Sequence, residues 1–304
     1  MAEAPKEAAE YNGKAAVQAL DAYANQACVE YLTAALRFDE QARGQLLVDS
    51  QRAKWCRMMA QAWYSLSRHD LARKWTEETW KYAGFAAPRF GSGTPAAILS
   101  HIWGRYVPPV PITDPERRAG CQAALVAADN LMTIYQWAGS QGGVVHTAFA
   151  ADNIGQRCKP SGGSSMVRRN VGLLLVMVGL HKIGLRDLEE ALAMAEGQGE
   201  FLPILSNKII YGISLSLLGR MEEALPFLHA AAAMAAGAGS GLWRHRAKFQ
   251  LAEAYLMLGR YQEAASWFAR GVPVALTAEP PASGFGTAEV CLCELRLGRD
   301  PGAG

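Results

Sequence analysis

No two of the six cysteines in this 304-residue chain stand at Cys-x-x-Cys spacing. Cys28, Cys56, Cys121, Cys158, Cys291 and Cys293 are scattered, which excludes a zinc knuckle and a disulfide framework and fits a reducing cytoplasm. Charge of one sign is not in excess either, with 30 Lys plus Arg against 28 Asp plus Glu. Binding to nucleic acid or to an anionic membrane through bulk charge is therefore not expected. The longest fully apolar stretch, residues 171–180, is half of the roughly 20 residues a bilayer crossing needs. The opening MAEAPKEAAEYNGKAA carries acids and no apolar core, so it does not read as a secretory signal.

Catalytic signatures are equally sparse. Gly13-Lys14 has neither the upstream glycine nor the hydroxyl of a phosphate loop, and Gly162-Gly163-Ser164-Ser165 has no lysine to reach a phosphate. His69, His101, His146, His181, His229 and His245 stand singly, with no i, i+4 pair to hold a metal. Cys291 and Cys293 would point to different sides of a helix, so they read as small packers rather than a redox couple. Ser161, Ser164 and Ser165 fall in an expected loop without an acid-histidine context for a nucleophile. The expectation is a non-enzyme with no cofactor and no metal.

What the chain does contain is a register. Leu218-Gly219-Arg220, Leu258-Gly259-Arg260 and Leu297-Gly298-Arg299 recur, with looser copies at Val178-Gly179-Leu180 and Ala138-Gly139-Ser140, so the glycines are spaced 40, 40, 40 and 39. A period of this size marks stacked supersecondary units. Each glycine falls between two segments of helical periodicity, flanked by small and large apolar residues at fixed offsets. One copy reads Ala252, Tyr255, Gly259, Ala264, Phe268 and Gly271; the copy before it reads Gly212, Leu215, Gly219, Ala224, Leu228 and Ala231; the one before that reads Gly172, Leu175, Gly179, Gly184, Leu188 and Ala191. Small residues at the crossing let two antiparallel helices approach, and the larger one fills the space beside them. The expected fold is all-α, a right-handed superhelix of about seven helix pairs.

Upstream, residues 51–66 and 69–82 read as another pair around Ser67, with Ala60, Trp63 and Ala72 in the small-large-small places, and residues 18–36 as a degenerate pair turning near Tyr23. Trp55, Trp63, Trp75 and Trp80 could form an aromatic surface for a ligand, but are read as core because Trp63 occupies the large-residue place of the register. Residues 84–116, with GFAAPRFGSG and YVPPVPITDP, interrupt the pattern as a hinge or a packed irregular connection carrying one short helix over 96–105. CKPSGGSS at 158–165 reads as an inter-repeat loop. The expected divisions are thus 1–83, 84–116 and 117–300. The last Leu-Gly-Arg is followed only by DPGAG, so the array is expected to continue in a longer protein or to have its last face covered by another molecule.

The three units over 172–271 resemble tetratricopeptide repeats, without the early Trp and late Pro of that pattern and about six residues longer than the usual 34. Over a longer span, YNGKAAVQALDAYANQACVEYLTAAL, WYSLSRHDLARKWTEET, ILSHIWGRY, LMTIYQWAGS and GLLLVMVGLHKIGLRDLEEALAMAE resemble the carboxy-terminal helical part of signalling proteins that join a class III adenylate or guanylate cyclase domain, an AAA-type ATPase domain and a tetratricopeptide-like region. The resemblance implies a regulatory or sensor repeat region whose catalytic parts lie outside this chain. The alternative is a free-standing adaptor that recruits a peptide from an unrelated protein. An α-helical enzyme is a third class and would need acids converging on a closed cavity.

The candidate partner-binding groove is the wall lined by first helices. Register alignment places Arg169, Asn170 and Leu173, then Lys208, Ile209 and Ile213, then Arg246, Phe249 and Glu253 along it. Basic groups among aliphatic ones suit a protein or peptide segment bearing acidic and apolar side chains.

Overall fold

Each helix pair of this protein turns on one residue with positive φ. The computed structural model describes residues 3–88, 94–158, 160–237, 241–277 and 287–298, and those turns fall at Tyr23, Ser67, Gly139, Gly179, Gly219 and Gly259. The hydrogen bonds are the same throughout. At Gly219, the Arg220 amide donates to the Leu215 carbonyl at 2.9 Å and the Gly219 amide to Ser216 at 3.0 Å; at Ser67, the Arg68 amide donates to Trp63 at 2.9 Å and the Ser67 amide to Tyr64 at 3.0 Å. This is the Schellman closure, which satisfies carbonyls that the end of a helix leaves without partners.

The described residues hold fourteen helices and no strand, in agreement with the expected all-helical repeat. They form two units, residues 1–171 and 172–304. In the first, α1 (Glu3–Asp21) pairs with α2 (Asn25–Gln41), and α3 (Asp49–Ser65) with α4 (His69–Tyr82). The single helix α5 (Thr94–Gly104) lies against α7 (Gln141–Arg157), which pairs with α6 (Pro115–Trp137). The helix α8 (Gly162–Met177) begins in the first unit and ends in the second. Six hairpins plus α5 and a last helix replace the seven pairs expected, because the Gly- and Pro-rich insertion contributes one helix without a partner of its own.

The second unit repeats one solution. The end of α8 meets α9 (His181–Gln198), α10 (Phe201–Leu217) pairs with α11 (Met221–Ala236), and α12 (Gly241–Met257) with α13 (Tyr261–Thr277), followed by α14 (Thr287–Arg296). A side chain at Gly212 would place its Cβ 2.6 Å from Leu228, and one at Gly172 would meet Leu188 at 2.8 Å. A side chain at either position would force its neighbour to shift, which favours glycine there despite its cost of about 1 kcal/mol inside a helix. Leu188, Leu228 and Phe268, the large residues of the register, are each enclosed in one continuous core that also holds Leu205, Leu215 and Leu251.

The first unit packs differently. Cys28, Leu32, Trp55, Met58 and Met59 form one cluster, while Trp80, Cys121, Leu125, Ile112 and Val167 form another. Of the four tryptophans expected in the core, Trp55 of α3 and Trp80 of α4 are enclosed, Gly13 of α1 admitting the Trp55 ring, while Trp63 and Trp75 pack half-buried on the first cluster. Ser164 and Ser165 are not in a loop: they are buried in the first turn of α8, where the Ser161 and Ser164 hydroxyls and amides bond reciprocally, a serine cap of the helix start.

Candidate functional site

The candidate wall residues reach different environments. In the first unit, Arg169 and Asn170 are both buried in α8. The Arg169 guanidinium donates to Asp129 of α6 at 2.7 Å and to the Asn170 side-chain oxygen at 2.8 Å, and the Asn170 amide donates to the same Asp129 oxygen at 2.8 Å. This closed triangle fixes α8 on α6. Desolvating a ligand carboxylate there would require breaking it first.

In the second unit, Ile209 is fully enclosed in the core, whereas Leu173, Ile213 and Phe249 are half-buried and pack on that core from outside. Lys208 donates to Glu196 of α9 at 2.7 Å, Glu253 accepts from Gln250 at 2.9 Å, and Arg246 is exposed with its guanidinium over the Trp243 ring at 5.6 Å. Phe249 packs edge-on against Phe268 at 5.3 Å between ring centroids. Because α10 touches α12, Lys208, Ile213, Arg246, Phe249 and Glu253 sit on neighbouring first helices, and of their charged groups Arg246 is the exposed one.

Two features of this unit were not read from the sequence. Met177, Leu217 and Met257 are exposed, and they recur at the 40-residue register two places before each turn glycine, so an apolar residue marks the same edge of every pair. Reading the register for exposed as well as for buried places would have found them. Lys248 of α12 donates to the Arg270 carbonyl at 3.0 Å. Burial pushes its pKa down and the charges of Arg244 and Arg270 push it further, so this is a second basic neighbourhood, on another side of α12.

The first unit holds a separate cleft of about 450 Å³ between α1, α3 and the connection before α3, lined by Lys6, Lys14, Lys54, Val17, Leu47 and Trp55. Asp39 holds that connection: it accepts from the Leu46 and Leu47 amides at 3.0 and 3.1 Å and from Arg52 at 2.7 Å. Burial pushes the Asp39 pKa up, but the hydrogen bonds and charge of Arg52 and the two amides outweigh it and hold the carboxyl below its ordinary value.

The thiols closest in chemistry are not Cys291 and Cys293, which lie on α14 half-buried and buried. Cys121 of α6 hydrogen-bonds Cys158 at the end of α7; this bond lowers the Cys158 pKa and, with burial, raises that of Cys121. Two residues 37 positions apart are brought together by the α6–α7 hairpin, which spacing alone does not reveal. Of the histidines, His101 and His146 lie with ring centroids 5.5 Å apart, and the His101 Nδ1 meets the Asn153 amide at 3.0 Å. Among the described residues no group of three or more His, Cys, Asp or Glu could hold a metal ion, and no helix is long and apolar enough to cross a membrane.

Comparison with known proteins agrees with the helical-repeat fold. A family model described as tetratricopeptide repeat matches residues 204–276, the span from α10 to α13. No curated protein matches the sequence. Among solved structures, a Rap protein complexed with Competence and Sporulation Factor is 15% identical, with a TM-score of 0.52, over 96% of this chain and 83% of that one. A point variant of a Podosopora anserina putative kinesin light chain with nearly identical TPR-like repeats is 15% identical over 76% of this chain and 97% of that one, with a TM-score of 0.45. A second structure of those repeats is 16% identical over 75% and 96%, with a TM-score of 0.43.

Proposed function

We propose that this chain is a non-catalytic protein-interaction scaffold whose second unit binds a segment bearing acidic and apolar side chains along α10 and α12. What supports this reading is that exposed Arg246 and half-buried Phe249 lie one turn apart on α12, which touches α10, the helix that carries half-buried Ile213 and the Glu196-paired Lys208, within the span that matches the tetratricopeptide repeat. An apolar floor with charged ends at its margin takes a partner through buried side chains and sets its register through charge. The Rap neighbour's complex with Competence and Sporulation Factor supports seeking such a partner for a chain of this fold. In this reading Arg169, Asn170 and Ile209 position helices rather than touch the partner.

The test is selection of binders from a random peptide library on the full chain, followed by amide-exchange mapping. Arg246→Glu combined with Phe249→Ala is expected to weaken the selected peptide at least about tenfold, roughly 1.4 kcal/mol, while Lys248→Gln leaves it unchanged. Protection confined to residues outside α10 and α12 would overturn the reading.

The resemblance to cyclase and AAA-type ATPase signalling proteins supports a narrower version, in which the chain is the regulatory repeat region of such a protein and its partner is a catalytic domain of the same polypeptide, in the cytoplasm. An open reading frame that continues upstream into a cyclase or ATPase domain, whose activity changes on adding this chain, is the expected result. A catalytic segment indifferent to the chain would leave the adaptor reading in its place.

A further inference from the structure

The Gly- and Pro-rich insertion of the first unit takes no part in the surface just described, yet it presents the longest run of exposed apolar residues in the described chain. Tyr106, Val107, Pro108, Pro109, Val110 and Pro111 are exposed one after another, and Tyr106 and Val110 are each 73% exposed. The run carries neither helix nor strand. A soluble fold ordinarily turns such residues inward, so their exposure calls for a cause.

Covalent chemistry sets the conformation of this run. The rings of Pro108, Pro109 and Pro111 lock φ near −65°, and a residue that precedes proline is driven to extended ψ, which applies to Val107, Pro108 and Val110. Both restrictions are those of the left-handed polyproline helix, with three residues per turn. In such a helix Val107-Pro108 and Val110-Pro111 repeat at one full turn and line the same edge, with Pro109 on another.

The fold holds both ends of the run. Before it, Arg105 pairs with the buried Asp152 of α7 at 3.1 Å and lies over the Phe149 ring at 5.9 Å. After it, the Ile112 side chain enters the Trp80 cluster and its amide donates to the Arg157 carbonyl at 2.8 Å, while the Arg157 Nε donates to the Val110 carbonyl at 3.2 Å. Asp114 then caps α6 by accepting from the Arg117 amide at 2.6 Å, and Pro115 starts that helix. A strap so anchored has little conformational freedom left to lose on binding.

We propose that residues 106–111 are a docking motif for a partner domain that reads polyproline helices through a groove of aromatic rings, each Val-Pro pair filling one slot of the groove. The two pairs, three residues apart and presented on one edge, supply the spacing such a groove needs, and prolines supply flat apolar faces for ring stacking. The cation that precedes the run, Arg105, is committed to Asp152, so the partner reads the valines and prolines rather than that charge. Leu99 and Trp103, exposed on α5, are a different surface and are not required.

The test uses the full chain in surface plasmon resonance against a panel of purified SH3, WW and EVH1 domains. Saturable binding by at least one domain is expected, competed by a synthetic peptide covering residues 105–112. Replacing Pro108→Ala and Pro111→Ala together should weaken binding at least about tenfold, as should Val110→Asp, which keeps every proline. Trp103→Ala should leave it unchanged, and all variants should melt like the parent because the altered side chains are exposed. No binding across the panel would overturn the proposal, as would binding that survives both strap variants or is removed by Trp103→Ala alone. Binding of the chain only to vesicles of phosphatidylserine and phosphatidylcholine, through the same aromatic residues, would equally overturn it.

Discussion

In residues 172–298 three helix pairs share one hydrophobic core, whereas residues 3–171 hold two separate clusters; both regions bury carboxylates, Asp39 and Asp152 in the first and Asp187 in the second. In the second unit the turn residue is glycine each time and the crossing residues are glycine or alanine, so the backbones pack directly. In the first, Tyr23 and Ser67 take the same left-handed turn without being glycine, and Asp39, Asp129 and Asp152 are answered by Arg52, Arg169, Arg105 and Arg168. Close approaches at glycine occur in both regions, at Gly13 and Gly143 in the first and at Gly172 and Gly212 in the second, but they recur in register only in the second, while the first adds arginine–aspartate pairs between its elements. Polar contacts specify a geometry but tolerate loss badly, because a buried charge left alone is costly.

The largest expected effect breaks that contrast at its sharpest point. Asp152 is 3% exposed and accepts from Arg105, Arg168 and Gln156, so Asp152→Ala should cost about 3–5 kcal/mol in urea unfolding of the first unit. The exposed Arg220–Glu223 pair of the second unit is the counterpart, and Glu223→Ala should leave the unfolding midpoint unmoved. Equal losses from the two variants would remove the distinction.

Next in size are the crossings. Gly212→Ala forces Leu228 to move and should destabilise the second unit by about 1–3 kcal/mol, although alanine is the better helix former. At Ala252, its counterpart in the next pair, the reverse change Ala252→Gly should also destabilise, by about 1 kcal/mol from helix propensity. Thermal unfolding reads both. A stabilising Gly212→Ala would show that the close approach is not required.

Smaller still are the turns. Gly219→Ala puts a side chain at φ 75° and should cost about 1–2 kcal/mol, while Ser67→Gly, at φ 58°, should stabilise by roughly 0.5–1 kcal/mol as strain is released. The opposite signs, measured by denaturant midpoint, would confirm that the first unit accepts strain where the second avoids it.

The smallest effect is that of pH. Burial and the Arg260 charge lower the His229 pKa, and burial and His146 lower that of His101. A histidine whose folded pKa lies below its unfolded value of about 6.5 contributes stability above that pH and loses it as the pH falls through it. Acidification from pH 7 to 5 should therefore destabilise both units slightly, and His229→Gln should flatten the slope in the second without touching the first. The Asp39 contribution should persist to lower pH, because its depressed pKa keeps the carboxylate charged until the solution passes below the ordinary carboxylate range.

The helix pairs were legible because their signals are local: a turn glycine, an adjacent charged run and small residues at fixed offsets act within one hairpin. For the first pair only the turn at Tyr23 was legible: its helices run over Glu3–Asp21 and Asn25–Gln41 rather than within 18–36. The wall residues were legible only in part, since register tells which helix carries a residue but not how deeply it sits; Ile209 and Lys208 are neighbours in sequence, and one is enclosed while the other reaches Glu196. Nothing in the spacing of Asp129, Arg169 and Asn170, or of Cys121 and Cys158, announces that they meet, because each contact joins different helices. The cleft beside Trp55 was invisible for the same reason.

The amino-acid order alone determined that this protein is built of α-hairpins, at a 40-residue interval from Gly139 onward, because helix periodicity, left-handed turn residues and close crossings are set by residues within reach along the chain. Only the tertiary structure decided which charges are consumed in holding helices together and which stay at the surface, and that residues 106–111 are exposed. Burial and pairing depend on what every other helix brings to the same place, and that information is distributed over the whole chain rather than held at any one position.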